Sequence, residues 1–280
     1  MVVSIIGLGL IGGSLAKDLR ANGFASHLIG VDESDQHQEQ AMSLDLVDEV
    51  KPLKEACMMA DLVVLAIPVG AVPEVFWQAL DHIRPGAVVV DMGSTKEVIA
   101  HRIATHPRRS RAVLGHPMAG TEFSGPQAAI NHLFFKKAAI ICDQEASDPD
   151  AVKLVERLFK SLFMRLLYMN SQEHDLHVAY VSHVSHISSF VLALTVLEKE
   201  QSEANIFNLA SGGFASTARL AKSSPRMWAD VYQQNSRNLI DVLDSYLDKM
   251  KQFRDLIDQG NYSETYQMMK EANEIKRILS

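Results

Sequence analysis

The stretch that decides the fold lies at the start of the chain: Val2-Val3-Ser4-Ile5-Ile6-Gly7-Leu8-Gly9-Leu10-Ile11-Gly12. The apolar residues before Gly7 predict a short buried strand, and the residues after Gly9 open a helix-like segment. Glycines spaced GxGxxG between a strand and a helix are typical of a turn that binds the pyrophosphate of a dinucleotide. Gly7 permits the tight turn, Gly9 lets the backbone approach the phosphates, and Gly12 lets the helix pack closely on the strand.

An acidic residue at the end of the next predicted strand extends this motif. Asp32 lies 20 residues beyond Gly12, where a carboxylate accepts hydrogen bonds from the ribose hydroxyls of NAD and repels the extra phosphate of NADP. The alternative is that the glycines are only turn residues and Asp32 is a surface acid, but three matches in register favour NAD. The residues assigned to the cofactor site are Gly7, Leu8, Gly9, Leu10, Ile11, Gly12, Asp32, Ile67, Pro68 and Ser94.

Residues 1–169 alternate short apolar runs with helix-like segments, which predicts a Rossmann-type, doubly wound α/β domain. The apolar runs are nearly continuous in hydrophobicity, as in parallel strands buried on both faces. The predicted strands are Val2–Ile6, His27–Val31, Leu62–Ile67, Ala87–Asp91, Ala112–Gly115 and Ala138–Cys142. The predicted helices are Ile11–Asn22, Val69–Leu80, Thr95–Thr105 and Asp150–Phe163.

Residues 170–280 predict an all-helical domain that binds substrate and forms a homodimer, since long helices with broad apolar faces need a partner. The Ala210–Ser224 segment is predicted to be irregular, and Asn170 or Ser171 is a candidate cap for the first helix. The predicted helices are Gln172–Glu200, Pro225–Asp258 and Tyr262–Leu279.

Composition narrows the class of protein. The chain has 280 residues, 27 Lys plus Arg against 34 Asp plus Glu, and a formal net charge of −7, which argues against a nucleic-acid partner. Two cysteines lack disulfide or metal-ligand spacing, so no metal is expected and the compartment is predicted to be reducing. Val178–Leu197 is long enough to span a bilayer, but its histidines and serines favour a buried helix. We expect no membrane partner, no signal peptide and a cytoplasmic location.

Two polar groups at predicted strand ends are candidates for chemistry. Ser94 and Glu97 fit a helix capping box, yet Ser94 also stands at the end of a strand that faces the ligand crevice. His116 precedes Pro117, which biases its backbone away from helix and holds it at a strand end. Histidine accepts protons near neutral pH, so His116 is the candidate general base; the alternative is a structural histidine.

Further candidates lie in the helical half. On a regular helix, Asp175, His183 and His186 fall within an arc of about 80°. We interpret them as a stripe that faces the substrate; the alternative is an internal polar network between helices. Arg219 suits a carboxylate, although a solvated role is the alternative from the residue alone.

Taken together, these segments resemble the prephenate dehydrogenase family, which includes arogenate dehydrogenases. The resemblance covers nearly the whole chain and is most specific at the string from Gly115 to Glu122. Its other motifs are Gly7–Gly12 with Asp32, Gly93-Ser94-Thr95-Lys96, His174-Asp175, Ser182-His183 through His186, Phe214–Arg219, Ala221–Pro225 and Trp228.

The resemblance implies oxidative decarboxylation of prephenate to 4-hydroxyphenylpyruvate, with reduction of NAD, in tyrosine biosynthesis. It implies that His116 takes the proton of the ring hydroxyl and that Ser94 orients both groups. It further implies that Arg219 and His186 hold substrate carboxylates. The residues that would shape or close the pocket are Thr121, Glu122, Asp175, His183 and Trp228.

Three alternatives remain open on the sequence. Ala215 stands where several relatives carry a basic residue, so arogenate is an alternative substrate. A β-hydroxyacid dehydrogenase has a similar layout, but it usually relies on a lysine in the first long helix of the second domain, and Ser171–Leu197 contains none. A non-catalytic NAD-sensing protein would need the glycines and Asp32 but not His116, Ser94 and Arg219 together.

Overall fold

A computed structural model describes residues 1–201, 203 and 206–278. Its centre is an eight-stranded sheet in the order β3-β2-β1-β4-β5-β6-β7-β8. The first six strands follow the doubly wound order of dinucleotide-binding domains, as predicted. The strands are β1 Val2–Ile6, β2 His27–Val31, β3 Glu49–Val50, β4 Leu62–Leu65, β5 Val88–Asp91, β6 Ala112–Pro117, β7 Ala138–Cys142 and β8 Arg165–Met169.

Helices cover both faces of this sheet, and the strands bury side chains on both. Successive residues of one strand join different cores: Ile5 packs on the face of α1 and α6, and Ile6 packs on the face of α4 and α5. This explains why the strands read as continuous apolar runs. The helices are α1 Leu10–Ala21, α2 Asp35–Ser43, α3 Leu53–Met59, α4 Val72–His82, α5 Glu97–Ile103 and α6 Pro149–Ser161.

The sheet departs from a purely parallel arrangement at its seventh strand. β7 pairs antiparallel with β6, and β8 then runs parallel to β7. The connection from β6 to β7 contains one short 3₁₀ turn, Pro126–Ala128, and no crossover helix. An antiparallel return needs no crossover. The connection packs on α1, where Ser14 Oγ accepts from Ile130 N at 3.0 Å and Lys17 Nζ donates to Ala129 O at 2.8 Å.

The first helical stretch of the second half is not one regular helix. It begins after a capping box between Asn170 and Glu173, which confirms Asn170 as the cap. A π-helical turn, Ala179–His183, then separates the two α-helical parts. The parts are α7 Ser171–Val178 and α8 Val184–Glu200.

Two expectations for the later segments were wrong. The segment Ala210–Ser224 is not irregular, because it folds as an α-helix and a 3₁₀ turn. The predicted helix Pro225–Asp258 is interrupted at Asn235. Leu279, the predicted end of the last helix, lies outside the described residues. The elements are α9 Gly212–Ala218, a 3₁₀ turn Arg219–Lys222, α10 Pro225–Gln234, α11 Ser236–Asp258, α12 Tyr262–Ala272 and a 3₁₀ turn Asn273–Arg277.

By its contacts the chain divides into two compact units, Met1–Asn235 and Ser236–Ser280. The first contains the sheet and α1–α10. The second contains α11 and α12, separated by Gly260 in a left-handed conformation with φ +65°. The boundary at residue 169 therefore stays a prediction based on the change from strands to helices.

One face of the α8 helix is exposed in the described part of the chain. Ser189 is its one buried residue, and Val191, Leu194 and Leu197 are each more than half exposed. The prediction of a buried helix is therefore not met for these side chains, which are exposed in the described part of the chain. By length and composition, Ser171–Glu200 is also the one described helix that is apolar enough to cross a membrane.

Candidate active site

The glycine loop is specified by the absence of side chains. Gly7 has φ +93°, and a Cβ there would lie 2.4 Å from Ala66 O. A Cβ on Gly12 would lie 1.9 Å from Gly7 O, far inside the contact distance. A Cβ on Gly9 would meet nothing within 4 Å. Gly7 and Gly12 are therefore required by the fold itself, whereas the space beside Gly9 is open to a ligand.

This loop meets the requirements of a phosphate site. α1 begins after Gly9 with no side-chain cap, so the first N–H groups of the helix, at Leu10 and Ile11, have no partner within the helix. Leu8 differs, because its side chain is fully buried and its N–H donates to Asp32 Oδ2 at 2.8 Å. Leu8 therefore holds the loop in place, and the helix N-terminus offers the free donors.

Asp32 connects the loop to the end of β2. Besides Leu8, Ser34 donates its N–H to the Asp32 carboxylate at 3.0 Å, and His37 Nδ1 lies 3.4 Å from Oδ1. A cavity of about 280 Å³ lies beside this carboxylate. Ile67 packs against the other side of the loop, where its Cγ2 would lie 2.8 Å from a Cβ on Gly7. Pro68 follows in the turn after β4 and is exposed.

The loop after β5 is held by a residue from the helical half. α5 begins at Glu97, so the predicted capping box between Ser94 and Glu97 is wrong. The Asp175 carboxylate takes that role instead, because it accepts from Lys96 N at 2.8 Å and Glu97 N at 2.9 Å. Ser94 is half-buried, and its hydroxyl is not used in capping.

A buried ion pair lies at the end of β5 and is hydrogen-bonded to β6. The Lys96 ammonium contacts the Asp91 carboxylate, and neither side chain is exposed. Asp91 also accepts from Gly93 N at 3.0 Å and Gly115 N at 3.2 Å. Burial raises the pKa of Asp91, and the Lys96 ammonium opposes that shift. The pair fixes the two backbone segments that carry Ser94 and His116.

His116 is the first member of a buried chain of polar side chains. Its Nδ1 lies 2.8 Å from His174 Nε2, and His174 Nδ1 lies 2.7 Å from Asp175 Oδ1. The exposed fractions are 8% for His116, 0% for His174 and 1% for Asp175. Burial, followed by the nearby His174, Lys96 and His183, holds the pKa of His116 well below its usual range. His116 is therefore neutral near pH 7 and can accept a proton.

His183 joins the same cluster through Asn235. The Asn235 amide donates to the backbone oxygen of Asp175 at 2.7 Å and lies 3.2 Å from His183 Nδ1. A neutral His183 that accepts at Nδ1 carries its proton on Nε2, so it presents a donor. Burial lowers the pKa of His183 to about 4. A π-helical turn ends at His183. The 80° arc calculated for Asp175, His183 and His186 on a regular α-helix therefore does not apply.

His186 and Trp228 form a stacked pair, with ring centroids 3.7 Å apart. His186 Nδ1 lies 3.0 Å from Ser182 O, an acceptor, so this nitrogen carries the proton and Nε2 is left as an acceptor. Burial is the main cause that lowers the pKa of His186. Trp228 Nε1 and the Tyr232 hydroxyl are buried without a hydrogen-bond partner in the described part of the chain.

Arg219 faces the loop after β6. Its Nη1 lies 3.7 Å from Glu122 Oε2, and its side chain is 53% exposed. Thr121 is exposed, and its Oγ1 accepts from Phe123 N at 3.3 Å. Arg219 also contributes to the lowered pKa of His186, so the guanidinium and this imidazole lie close enough to interact.

Contacts thus link most of the predicted substrate residues in two groups: His116, Asp175 and His183 in one, and His186, Trp228, Arg219 and Glu122 in the other. The T-shaped ring contact of His183 on Trp228, with centroids 5.7 Å apart, joins the groups. Four members were not assigned to the site from the sequence: Asp91, Lys96, His174 and Asn235. Of these, Lys96 and His174 do lie in motifs of the family resemblance. A lysine between a buried strand and the next helix was a usable signal for Lys96, whereas nothing local marked Asn235. Within the described residues, no His, Cys, Asp or Glu group is arranged to hold a metal ion.

Comparison with known proteins identifies the family. Residues 15–168 match the family model described as "Prephenate dehydrogenase, nucleotide-binding domain". Residues 170–271 match "Prephenate dehydrogenase, dimerization domain". A prephenate dehydrogenase of Bacillus subtilis is 30% identical over 98% of this chain and 75% of its own length.

Solved structures agree with the sequence matches. A prephenate dehydrogenase of A. aeolicus, in complex with hydroxyphenyl propionate and NAD+, superposes with a TM-score of 0.90 at 28% identity, over 100% of this chain and 98% of that one. An arogenate dehydrogenase of Synechocystis gives a TM-score of 0.79 at 28% identity, over 100% of both chains. The chain belongs to the prephenate dehydrogenase family.

Proposed function

We propose that this chain catalyses the NAD-dependent oxidative decarboxylation of prephenate to 4-hydroxyphenylpyruvate in tyrosine biosynthesis. The observation that carries the proposal is the neutral, buried His116 at the carboxyl end of β6, hydrogen-bonded through His174 to Asp175. The glycine loop follows β1 of the same parallel part of the sheet, so cofactor and base lie along one edge. The family matches support the reaction class.

The cofactor is NAD, which accepts the hydride from ring carbon C4 when bound. The open space beside Gly9 and the free N–H groups at the start of α1 fit a pyrophosphate. Asp32 favours NAD over NADP, because its carboxylate would repel a 2′-phosphate. Ile67 and Pro68 are assigned to the wall of the cofactor site beside the glycine loop.

His116 acts on the ring hydroxyl. Its Nε2 takes the hydroxyl proton as the hydride leaves C4, and the oxygen becomes a carbonyl. The bond from C1 to the ring carboxylate then breaks, carbon dioxide leaves, and the electron pair makes the ring aromatic. The oxygen regains its proton from His116. The reaction releases no net proton, so a base that is sealed from solvent is sufficient.

Other side chains are assigned by their position around His116. Ser94 orients the substrate hydroxyl from the end of β5, and His183 presents an N–H to the pocket. Arg219 binds a carboxylate through two parallel N–H bonds, and Glu122 holds the guanidinium when no substrate is present. Thr121 and Trp228 are assigned to the wall and closure of the pocket.

Arogenate is a second candidate substrate, and the hydrogen bond of His186 is the observation that favours it. Because Nδ1 donates to Ser182 O, neutral His186 offers only an acceptor at Nε2. An acceptor suits the side-chain ammonium of arogenate, whereas the keto oxygen that prephenate carries at that position requires the donor of a protonated imidazole. Lower pH should therefore raise the ratio of kcat/KM for prephenate to kcat/KM for arogenate, since protonation of His116 affects both substrates equally. A His186→Gln variant should lose this pH dependence of the ratio.

We also propose a homodimer and a cytoplasmic location. The uncovered apolar residues of α8 and the match to a dimerization-domain family support the dimer. Two buried free cysteines, Cys57 and Cys142, are compatible with a reducing compartment. Sedimentation that gives a stable monomer at micromolar concentration would contradict the dimer.

The direct test is a four-way assay of purified protein with prephenate or arogenate and with NAD or NADP. We expect formation of reduced NAD with prephenate, together with 4-hydroxyphenylpyruvate. Turnover of arogenate alone would select the second candidate. Stoichiometric NAD binding without turnover of either ring acid would favour an NAD-sensing protein, and turnover of a β-hydroxyacid instead would favour that dehydrogenase class.

A further inference from the structure

The chain of His116, His174 and Asp175 connects one element of the sheet to the helical half. His116 lies at the carboxyl end of β6, whereas His174 and Asp175 lie on α7, with His174 58 positions further along the chain. Both hydrogen-bonding distances are under 3 Å, and all three side chains are buried. The mechanism above uses only the far nitrogen of His116, so it leaves His174 and Asp175 without a role in the chemistry.

The direction of the hydrogen bonds follows from the Asp175 end. Both carboxylate oxygens accept from backbone N–H groups, Lys96 N on Oδ1 and Glu97 N on Oδ2. These donors favour the ionised carboxylate, although burial alone raises the pKa of Asp175. An ionised carboxylate only accepts, so His174 Nδ1 carries a proton. A neutral imidazole has one N–H, and His174 Nε2 is therefore an acceptor.

The same logic fixes His116. Because His174 Nε2 accepts, His116 Nδ1 must donate, and the proton of the neutral ring is on that nitrogen. His116 Nε2 then carries no proton and presents its lone pair as an acceptor. The opposite tautomer would present an N–H to the substrate and could not take the hydroxyl proton.

We infer that His174 and Asp175 are positioning residues that hold His116 in the one tautomer able to accept the substrate proton. This inference rests on the proposed function of His116 as the base. When His116 becomes an imidazolium, the Asp175 carboxylate is its counter-ion through His174. The nearby Lys96 ammonium is already neutralised by Asp91, so it opposes that charge less than a free ammonium would.

Two substitutions of His174 by side chains of similar size distinguish a role in fixing the tautomer of His116 from a role in packing. His174→Gln keeps a side-chain acceptor and donor, whereas His174→Phe keeps ring volume and removes both. We expect kcat with prephenate to fall by about tenfold or less in His174→Gln and by at least about 100-fold in His174→Phe. The Kd for NAD should change by less than about threefold in both. His177→Gln, an exposed position on the same helix, is the control and should retain wild-type kcat. If His174→Phe is as active as His174→Gln, the inference is overturned.

The tautomer itself can be read by nuclear magnetic resonance of protein labelled with ¹⁵N in its histidine rings, with His116 assigned by comparison with His116→Asn. We expect a protonated Nδ1 and an unprotonated Nε2 on His116 at pH 7.5. Asp175→Asn should reverse this pattern and lower kcat by at least about 100-fold. A wild-type spectrum with the proton on Nε2 of His116 would refute the inference, and that reading needs no variant to fold.

Different results would contradict the proposed function and the positioning role of His174 and Asp175. Wild-type protein that shows the expected tautomer but turns over neither prephenate nor arogenate would contradict the proposed function and leave the hydrogen-bond chain intact. Wild-type protein that turns over prephenate, with full kcat retained in both His174→Phe and Asp175→Asn, would contradict the positioning role alone.

Discussion

The glycine loop and the histidine cluster are the two parts of the proposed site, and the sequence specifies them in different ways. The loop requires residues without a Cβ, since a Cβ on Gly12 would lie 1.9 Å from Gly7 O within the same short segment. The histidine cluster is defined by side-chain hydrogen bonds between β6, α7 and α10, over separations of 52 to 60 residues. The geometry of the glycine loop, the cofactor end of the site, therefore depends on residues that are neighbours in sequence. The histidine cluster, the catalytic end, forms only when distant segments come together in the folded chain.

The largest expected effect is on the catalytic end. His116→Asn removes the base but leaves the glycine loop unchanged, so kcat should fall about 10²- to 10⁴-fold while the Kd for NAD stays within about threefold. Steady-state kinetics and calorimetric titration with NAD measure the two quantities. Near-normal turnover would show that His116 is not the base. The histidine cluster would then not be the catalytic part of the site.

Two glycine substitutions sharpen the account of the cofactor end. Gly12→Ala places a methyl group inside the contact distance of Gly7 O, so the free energy of unfolding should fall by about 3 kcal/mol or more. Gly9→Ala meets no atom of the chain, so stability should change by less than about 1 kcal/mol. The Kd for NAD should nevertheless rise about tenfold, equivalent to about 1.4 kcal/mol.

Denaturant titration and NAD binding on the two variants provide the check. Equal losses of stability in both would show that the space beside Gly9 is not reserved for a ligand. Unchanged NAD affinity in a folded Gly9→Ala variant would argue against close approach of the phosphates at that position.

A smaller effect is expected at the exposed edge of the catalytic end. Arg219→Ala removes a carboxylate contact made in both ground and transition states, so KM for prephenate should rise about 10- to 100-fold with little change in kcat. Arg219→Lys should recover only part of the loss, because an ammonium lacks the planar fork. An unchanged KM in Arg219→Ala would show that the guanidinium pairs with Glu122 and does not bind the substrate.

The smallest effect is a pH dependence of stability. In the folded chain burial holds the pKa of His183 at about 4, against 6.5 for an ordinary histidine. Below pH 6.5 the unfolded state therefore binds a proton that the native state does not, and stability falls as pH drops from 6.5 toward 4. Each such histidine contributes about 1.4 kcal/mol per pH unit in that window. Urea titrations at several pH values should give a shallower slope for His183→Gln than for the wild type.

The strand, turn and helix of the cofactor end could be predicted from the sequence, because the spacing of the glycines and the start of a helix are local signals. β1, β2 and β7 begin and end at the predicted residues. The two-residue β3 was missed because it is too short to show a pattern. The half-exposed edge strand β8 was also missed, although Leu166–Met169 is a continuous apolar run. The antiparallel turn to β7 depends on a connection without a crossover helix, which no hydrophobic pattern announces.

The catalytic end was predicted only in its individual residues. His116, Asp175 and His183 were singled out, but the carboxylate of Asp175 contacts two backbone N–H groups and His174 instead of facing the pocket directly. A regular-helix calculation fails across the π-helical turn Ala179–His183. Asn235 joins the cluster from α10 through tertiary packing alone, and so no local motif marks it.

The central claim is that residues from both halves of the sequence meet around one substrate. A crystal structure of the protein with NAD and 4-hydroxyphenylpropionate tests it most directly. The account predicts His116 Nε2 within about 3.2 Å of the phenolic oxygen, with the Arg219 guanidinium on the carboxylate. A ligand bound away from His116, or a His116 ring whose Nε2 points away from the phenol, would contradict it.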